Sequence, residues 1–90
     1  MKLWVVIFPT ENCDLKTDEE VLEKVASNPK DWVVRRLITV GHGLKEVSAS
    51  IYLKDNIFSS FIIPYSVTKS LVKRKLIKSV DKTHFIFKVD

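Results

Sequence analysis

Apolar and polar positions repeat with two different periods along this chain, and the changes of period mark its elements. Leu3 to Phe8 form an unbroken run of β-prone apolar residues, which predicts a buried first strand. Thr17-Asp18-Glu19-Glu20 has the form of a capping box, in which the Thr17 hydroxyl accepts from first-turn amides while Glu20 reaches back. A helix should follow, with Val21, Leu22, Val25 and Ala26 on its inner face, acids at the positive end of its dipole, and a stop at Asn28-Pro29. The same pair can open the next element, because Asn28 suits an N-cap, Pro29 the first helical position and Asp31 the first turn.

Residues 32–40, WVVRRLITV, carry conflicting signals. The apolar pairs Val33/Val34 and Leu37/Ile38 flank Arg35/Arg36 with a period near four, which favours a helix. Strand alternation would put Arg36 on one face with Val34 and Ile38, although the β-branched content argues for a strand. Gly41-His42-Gly43 ends the element on either reading. In residues 46–63, Val47, Ala49, Ile51 and Leu53 alternate with polar neighbours, Lys54-Asp55-Asn56 supplies a turn, and Ile57 to Ile63 returns, so a hairpin ending at Pro64 is predicted. Helical spacing of Val47, Ile51, Phe58, Phe61 and Ile62 leaves a helix open for part of that stretch.

The stretch SVTKSLVKRKLIKSVDKTHFIFKV, residues 66–89, reads as helix, strand, turn and strand. On a helix from about Ser66 to Leu76, Val67, Thr68, Leu71, Val72 and Leu76 cover one half of the wheel. Lys69, Ser70, Lys73 and Arg74, with Ser66 as cap, cover the other half without a single acid. A hairpin follows, Leu76–Val80 and His84–Val89, with Phe85, Phe87 and Val89 facing inward and Lys82 at its tip. This order of parts, with Ser66, Leu71, the Leu76-Ile77 pair and the 78–89 hairpin, resembles the recognition helix and wing of winged-helix domains. Lys75 stands where that family often has glycine.

The resemblance implies an α+β fold: an N-terminal strand, two to three helices and a small antiparallel sheet, with the 32–40 helix as first helix of the domain. It also implies DNA binding, with Lys69, Lys73 and Arg74 reaching a major groove, Ser66 and Ser70 bonding phosphates near the helix N-terminus, and Lys82 adding a wing contact.

Composition narrows the function classes. Ninety residues, 46% of them apolar, describe one domain spanning 1–90. Residues 1–31 hold four Lys against seven acids, 4 − 7 = −3, whereas the remainder holds eleven Lys and Arg against four acids, 11 − 4 = +7. That asymmetry points to a polyanion, DNA or RNA, or to an acidic protein surface as partner of the C-terminal portion. Cys13 is the sole cysteine, so no internal disulfide can form, and MKLWVVIF lacks a small-residue cleavage site; both favour a cytoplasmic, intracellular protein. No segment approaches the roughly 20 apolar residues that span a bilayer, so no membrane partner is expected.

Catalytic signatures are sparse. His42 between two glycines is the most enzyme-like residue, yet no second base or carboxylate lies near it in sequence. A helix, three strands and a helix between 17 and 76 would be similar to small ribonuclease toxins with a double-stranded-RNA-binding-like fold, which requires 32–40 to be a strand. Cys13, His42 and His84 lack zinc-ligand spacing, and no phosphate loop, nucleophile elbow or acidic dyad calls for a cofactor. The sequence therefore points to a non-enzymatic nucleic-acid-binding regulator with no catalytic or metal-binding residues, possible as a homodimer. The competing reading is a protein-interaction module or inhibitor, of viral or mobile-element type, that offers an unpaired sheet edge or the basic helix to an acidic partner.

Overall fold

A computed structural model describes residues 4–88 of the chain; Leu3 and Val89, assigned above to the first and last strands, lie outside them. The elements are β1 (Trp4–Ile7), α1 (Asp18–Val25), β2 (Trp32–Gly41), β3 (Leu44–Leu53), β4 (Asn56–Ile63), α2 (Tyr65–Lys73), β5 (Ile77–Ser79) and β6 (His84–Phe87), with single 3-10 turns at Thr10–Asn12 and Pro29–Asp31. Strands make up 46% of the described residues, and the sheet curls into a half-barrel rather than forming the small appendage of a helical domain. Its centre is the antiparallel pair β2–β3. One side of β3 is shared: β1 runs parallel to Leu44–Val47, and β4 runs antiparallel to the second half. The far side of β2 takes β6 and then β5.

Thr17 caps α1 as its sequence predicts, accepting from Glu20 N at 3.2 Å. The Glu20 carboxylate turns instead to Lys16 N at 3.4 Å, so only one arm of the capping box forms. After the helix, Asn28 opens no second helix. Its side-chain amide oxygen accepts from the buried Trp32 indole at 3.0 Å, and Pro29–Asp31 makes one 3-10 turn before β2 begins.

The expected helix at 32–40 is thus a strand, and a winged-helix arrangement has no first helix here. The feature that counted against a strand is real and is accommodated. Arg36 does share a face with Val34 and Ile38, but it lies at the margin of the core, where its guanidinium carbon stacks 4.9 Å from the centre of the Tyr65 ring. With Arg36 tolerated on that face, the β-branched residues take the extended form that they favour. Gly41 pairs with Leu44, leaving a two-residue loop in which His42 (φ 50) and Gly43 (φ 77) are both left-handed, as a type I′ turn demands. The 46–63 hairpin forms with Lys54-Asp55 at its turn, and no helix replaces it.

Alternation then assembles the core. Trp32 and Val34 of β2, Ala49 and Ile51 of β3, Ile63 of β4, Ile77 of β5 and Phe87 of β6 meet Val21 and Val25 of α1 and Val67 and Leu71 of α2. Both helices therefore cover the same face. Pro64 precedes α2, and Ser66 lies exposed in the first turn with no capping bond, contrary to its expected role. The helix ends three residues earlier than its apolar spacing suggests. Lys75 adopts a left-handed conformation (φ 61), Leu76 N bonds Leu71 O at 2.9 Å, and Lys75 N bonds Val72 O at 3.0 Å, which together make a Schellman motif.

The hairpin beyond α2 is present, with Asp81 fastening its turn: the carboxylate accepts from Thr83 N and His84 N, each at 2.8 Å. However, β6 is hydrogen-bonded to β2 and belongs to the main sheet, so it does not project as a wing. A further correction concerns β1. It is a strand, but none of it is buried: Trp4 is 74% exposed, Val5 65%, Val6 38% and Ile7 53%.

Candidate nucleic-acid interface

Six residues were singled out from sequence for binding, and a contact between the helices divides them. Asp18, the first residue of α1, accepts hydrogen bonds at Oδ2 from the Ser70 hydroxyl and, at 3.0 Å, from Arg74 Nη1. Its carboxylate is only 14% exposed, so it is a committed partner rather than a passing counterion. Ser70 and Arg74 are thereby spent on holding α2 to α1. Ser66 remains exposed in the first turn of α2.

Lys69 and Lys73 are placed differently. They stand one turn apart on α2 and, with Arg36, border a cleft of about 300 Å³ whose other walls are Tyr65, Thr68, Val72 and Phe85. No carboxylate lines it. Lys69 Nζ lies 5.8 Å from the centre of the Tyr65 ring that Arg36 also contacts, so one aromatic ring organises two of the three cations. Arg36 Nε is buried without a hydrogen-bond partner, as is Thr68 Oγ1. Buried polar atoms left in that state cost about 1–3 kcal/mol each.

The remaining candidate, Lys82, joins the same region through the backbone. Arg36 N donates to Thr83 O at 2.7 Å, which lays the turn of the β5–β6 hairpin beside β2. Arg35, Arg36, Thr39 and Thr83 border a second depression there, of about 320 Å³. The two depressions share Arg36. Lys69 and Lys73 are therefore brought beside Arg36, Tyr65 and Thr68, which had not been singled out, whereas Lys82 borders neither depression. The available signal was the arginine pair itself, since adjacent residues of a strand point to opposite faces and one of the two must face the helices.

Another basic surface surrounds Lys78 and Ile86: Lys30, Lys54, Lys78 and Lys88 border a wider cleft of about 550 Å³. Its lysines come from separate segments, and no buried unpaired polar atom opens onto it among the described residues. We therefore place the candidate site at Arg36.

The chemistry-bearing side chains elsewhere have structural roles. His42 occupies the type I′ turn, is exposed and makes no hydrogen bond among the described residues. His84 Nδ1 lies 3.0 Å from Asp81 Oδ1 within the hairpin. Hydrogen bonds from the Thr83 amide, then from the His84 side chain and amide, hold the Asp81 carboxyl down at about 2. Burial and the neighbouring Asp14 carboxylate push the Cys13 thiol up, with Lys16 opposing, and the thiol faces the Pro9 carbonyl. That makes it a poor nucleophile. No group of three potential metal ligands occurs among the described residues. No helix among them is long and apolar enough to cross a membrane.

The chain matches no family model, no curated protein and no solved structure. The order helix, three antiparallel strands, helix over α1 to α2 is the one that the ribonuclease-toxin reading required. Among the described residues His42 makes no hydrogen bond to the carboxylate that would orient a general base.

Proposed function

We propose that this protein binds nucleic acid by its sugar-phosphate backbone, along a basic track centred on Arg36. The observation that carries the proposal is the cleft bordered by Arg36, Lys69 and Lys73, three cations that no lining carboxylate neutralises. A phosphate seated among them would supply the counter-charge that the cleft lacks. Lys82, beside Thr83 on the hairpin turn that adjoins β2, would extend the positive charge. Nothing in the track presents a row of side chains suited to base edges, so recognition rests on phosphate positioning and not on sequence.

The test is a titration of labelled single-stranded and duplex oligonucleotides of both sugars at several salt concentrations. Neutralisation of four or five phosphates gives a log–log salt slope of about −3 to −4, and binding in the micromolar range at moderate salt. Lys69→Ala with Lys73→Ala should flatten the slope by about 1.5 and weaken binding at least about tenfold. Lys54→Ala with Lys78→Ala, on the other basic surface, should leave binding within about twofold. Absence of binding at low salt, or equal loss from both double variants, removes the proposal. Equally effective competition by polyglutamate would assign the track to an acidic protein surface instead.

A further inference from the structure

The two helices cover only part of their sheet face. Beyond them, β1, the end of β2 and the start of β3 continue as a bare three-stranded ribbon, and the molecule measures 45 Å along its longest axis against 24 and 23 Å across. Register puts Val5 and Ile7 on the same face as Ile38, Val40 and the buried Val47, because Val5 pairs with Lys45, Ile7 with Val47, Ile38 with Val47 and Val40 with Lys45. On the opposite face, Trp4 pairs with Leu44 and Val6 with Glu46. Trp4, Val5, Val6, Ile7, Ile38, Val40 and Leu44 are between 38% and 74% exposed. Apolar exposure on this scale is normally an interface, and an unprotected apolar edge strand is one that proteins otherwise avoid.

We infer that a second copy of this chain pairs with the edge of this ribbon, its β1 running antiparallel to the first copy's β1 across a two-fold axis. The backbone specifies how. Trp4 and Phe8 donate their amides at 3.0 Å to Gly43 and Val47 of the β3 side. The two-residue period of a strand then turns the N–H and C=O of Val5 and Ile7 outward, toward the free edge. An axis through Val6 sets Val5 of each copy opposite Ile7 of the other and joins them by four new hydrogen bonds. Strand β1 has no charged residue to repel its copy, and an isologous contact needs only one self-complementary patch.

The exposed side chains divide between the two faces of the ribbon, so edge pairing buries mainly those of β1, and the contact belongs with the small, weak interfaces of less than about 1,200 Å² in total. The pairing is independent of nucleic-acid binding, since Arg36, Lys69 and Lys73 are outside it.

Sedimentation equilibrium of the protein without nucleic acid, from about 1 to 200 μM, tests the inference. The wild type should pass from monomer to dimer, with the fluorescence of exposed Trp4 shifting to the blue as it is covered. Val5→Pro removes an outward amide without touching the amides bonded to β3, and should weaken association at least about thirtyfold. Val6→Lys keeps the strand pairing within the chain but sets two ammonium groups face to face at the axis; it too should give a monomer, whatever Val5→Pro does to folding. Ile57→Lys, exposed on β4, should dimerise as the wild type does. A wild type that stays monomeric throughout, or a dimer that survives Val6→Lys, overturns the inference.

Discussion

Replacing Asp18 by alanine removes the link between the two helices, and the size of the loss can be worked from its contacts. The carboxylate is largely buried and receives the Ser70 hydroxyl and the Arg74 guanidinium. A hydrogen bond to a charged, mostly buried acceptor contributes about 1.5–3 kcal/mol. The Arg74 side chain is 47% exposed, which limits its ion pair to the surface range of about 0.2–1 kcal/mol. An acid in the first turn of α1 adds about 0.3–1 kcal/mol through the helix dipole. Allowing for non-additivity, Asp18→Ala should cost about 2 kcal/mol, which for a domain of this size lowers the melting temperature by about 10 °C. Arg74→Ala alone should cost no more than about 0.5 kcal/mol, and in the Asp18→Ala background nothing. Urea unfolding followed by the fluorescence of buried Trp32 provides the assay. The same Arg74→Ala protein should bind oligonucleotides as the wild type does, which separates this arrangement from one in which α2 enters a groove with Arg74 exposed. Stability unchanged by Asp18→Ala, or binding lost with Arg74→Ala, would refute the reasoning.

Two further outcomes follow from the backbone and the hairpin. Lys75 holds a left-handed conformation that an L side chain enters at a cost of about 1–2 kcal/mol, so Lys75→Gly should stabilise by about 0.5–1 kcal/mol once the greater freedom of glycine in the unfolded chain is deducted, measurable by the same urea titration. The Asp81 carboxyl is held at about 2, below its ordinary value of 3.8, so its contribution is fully present above about pH 4 and is lost as pH falls towards 2. Amide exchange in β5 and β6 should therefore accelerate across that window in the wild type and much less in Asp81→Asn, which keeps an acceptor but cannot titrate; equal acceleration in both would show that other carboxylates control the hairpin.

What the sequence revealed depended on the range of the interactions concerned. The Thr17 cap and the alternation of Val47, Ala49, Ile51 and Leu53 are local signals, and each led to the element found. Strand β2 was hidden because an arginine on an inner face looks like a violation until Tyr65, twenty-nine residues later, is known to lie against it. The end of α2 was misplaced because Leu76 keeps helical spacing, although it arrives there through the left-handed turn at Lys75. The apolar run in β1 suggested burial, and periodicity cannot tell a strand inside the core from one at an uncovered edge. In the candidate site, Lys69 and Lys73 were legible from the helical wheel. The withdrawal of Ser70 and Arg74 was not, since Asp18 lies 52 and 56 residues away from them.

Amide and side-chain chemical-shift mapping of an isotope-labelled sample, titrated with a short oligonucleotide at low salt, tests most directly where the polyanion sits. A site at Arg36 requires the largest shifts at Arg36, Lys69, Lys73, Lys82 and Thr83. Shifts concentrated instead at Lys30, Lys54, Lys78 and Lys88, or spread evenly over every lysine, would contradict the assignment.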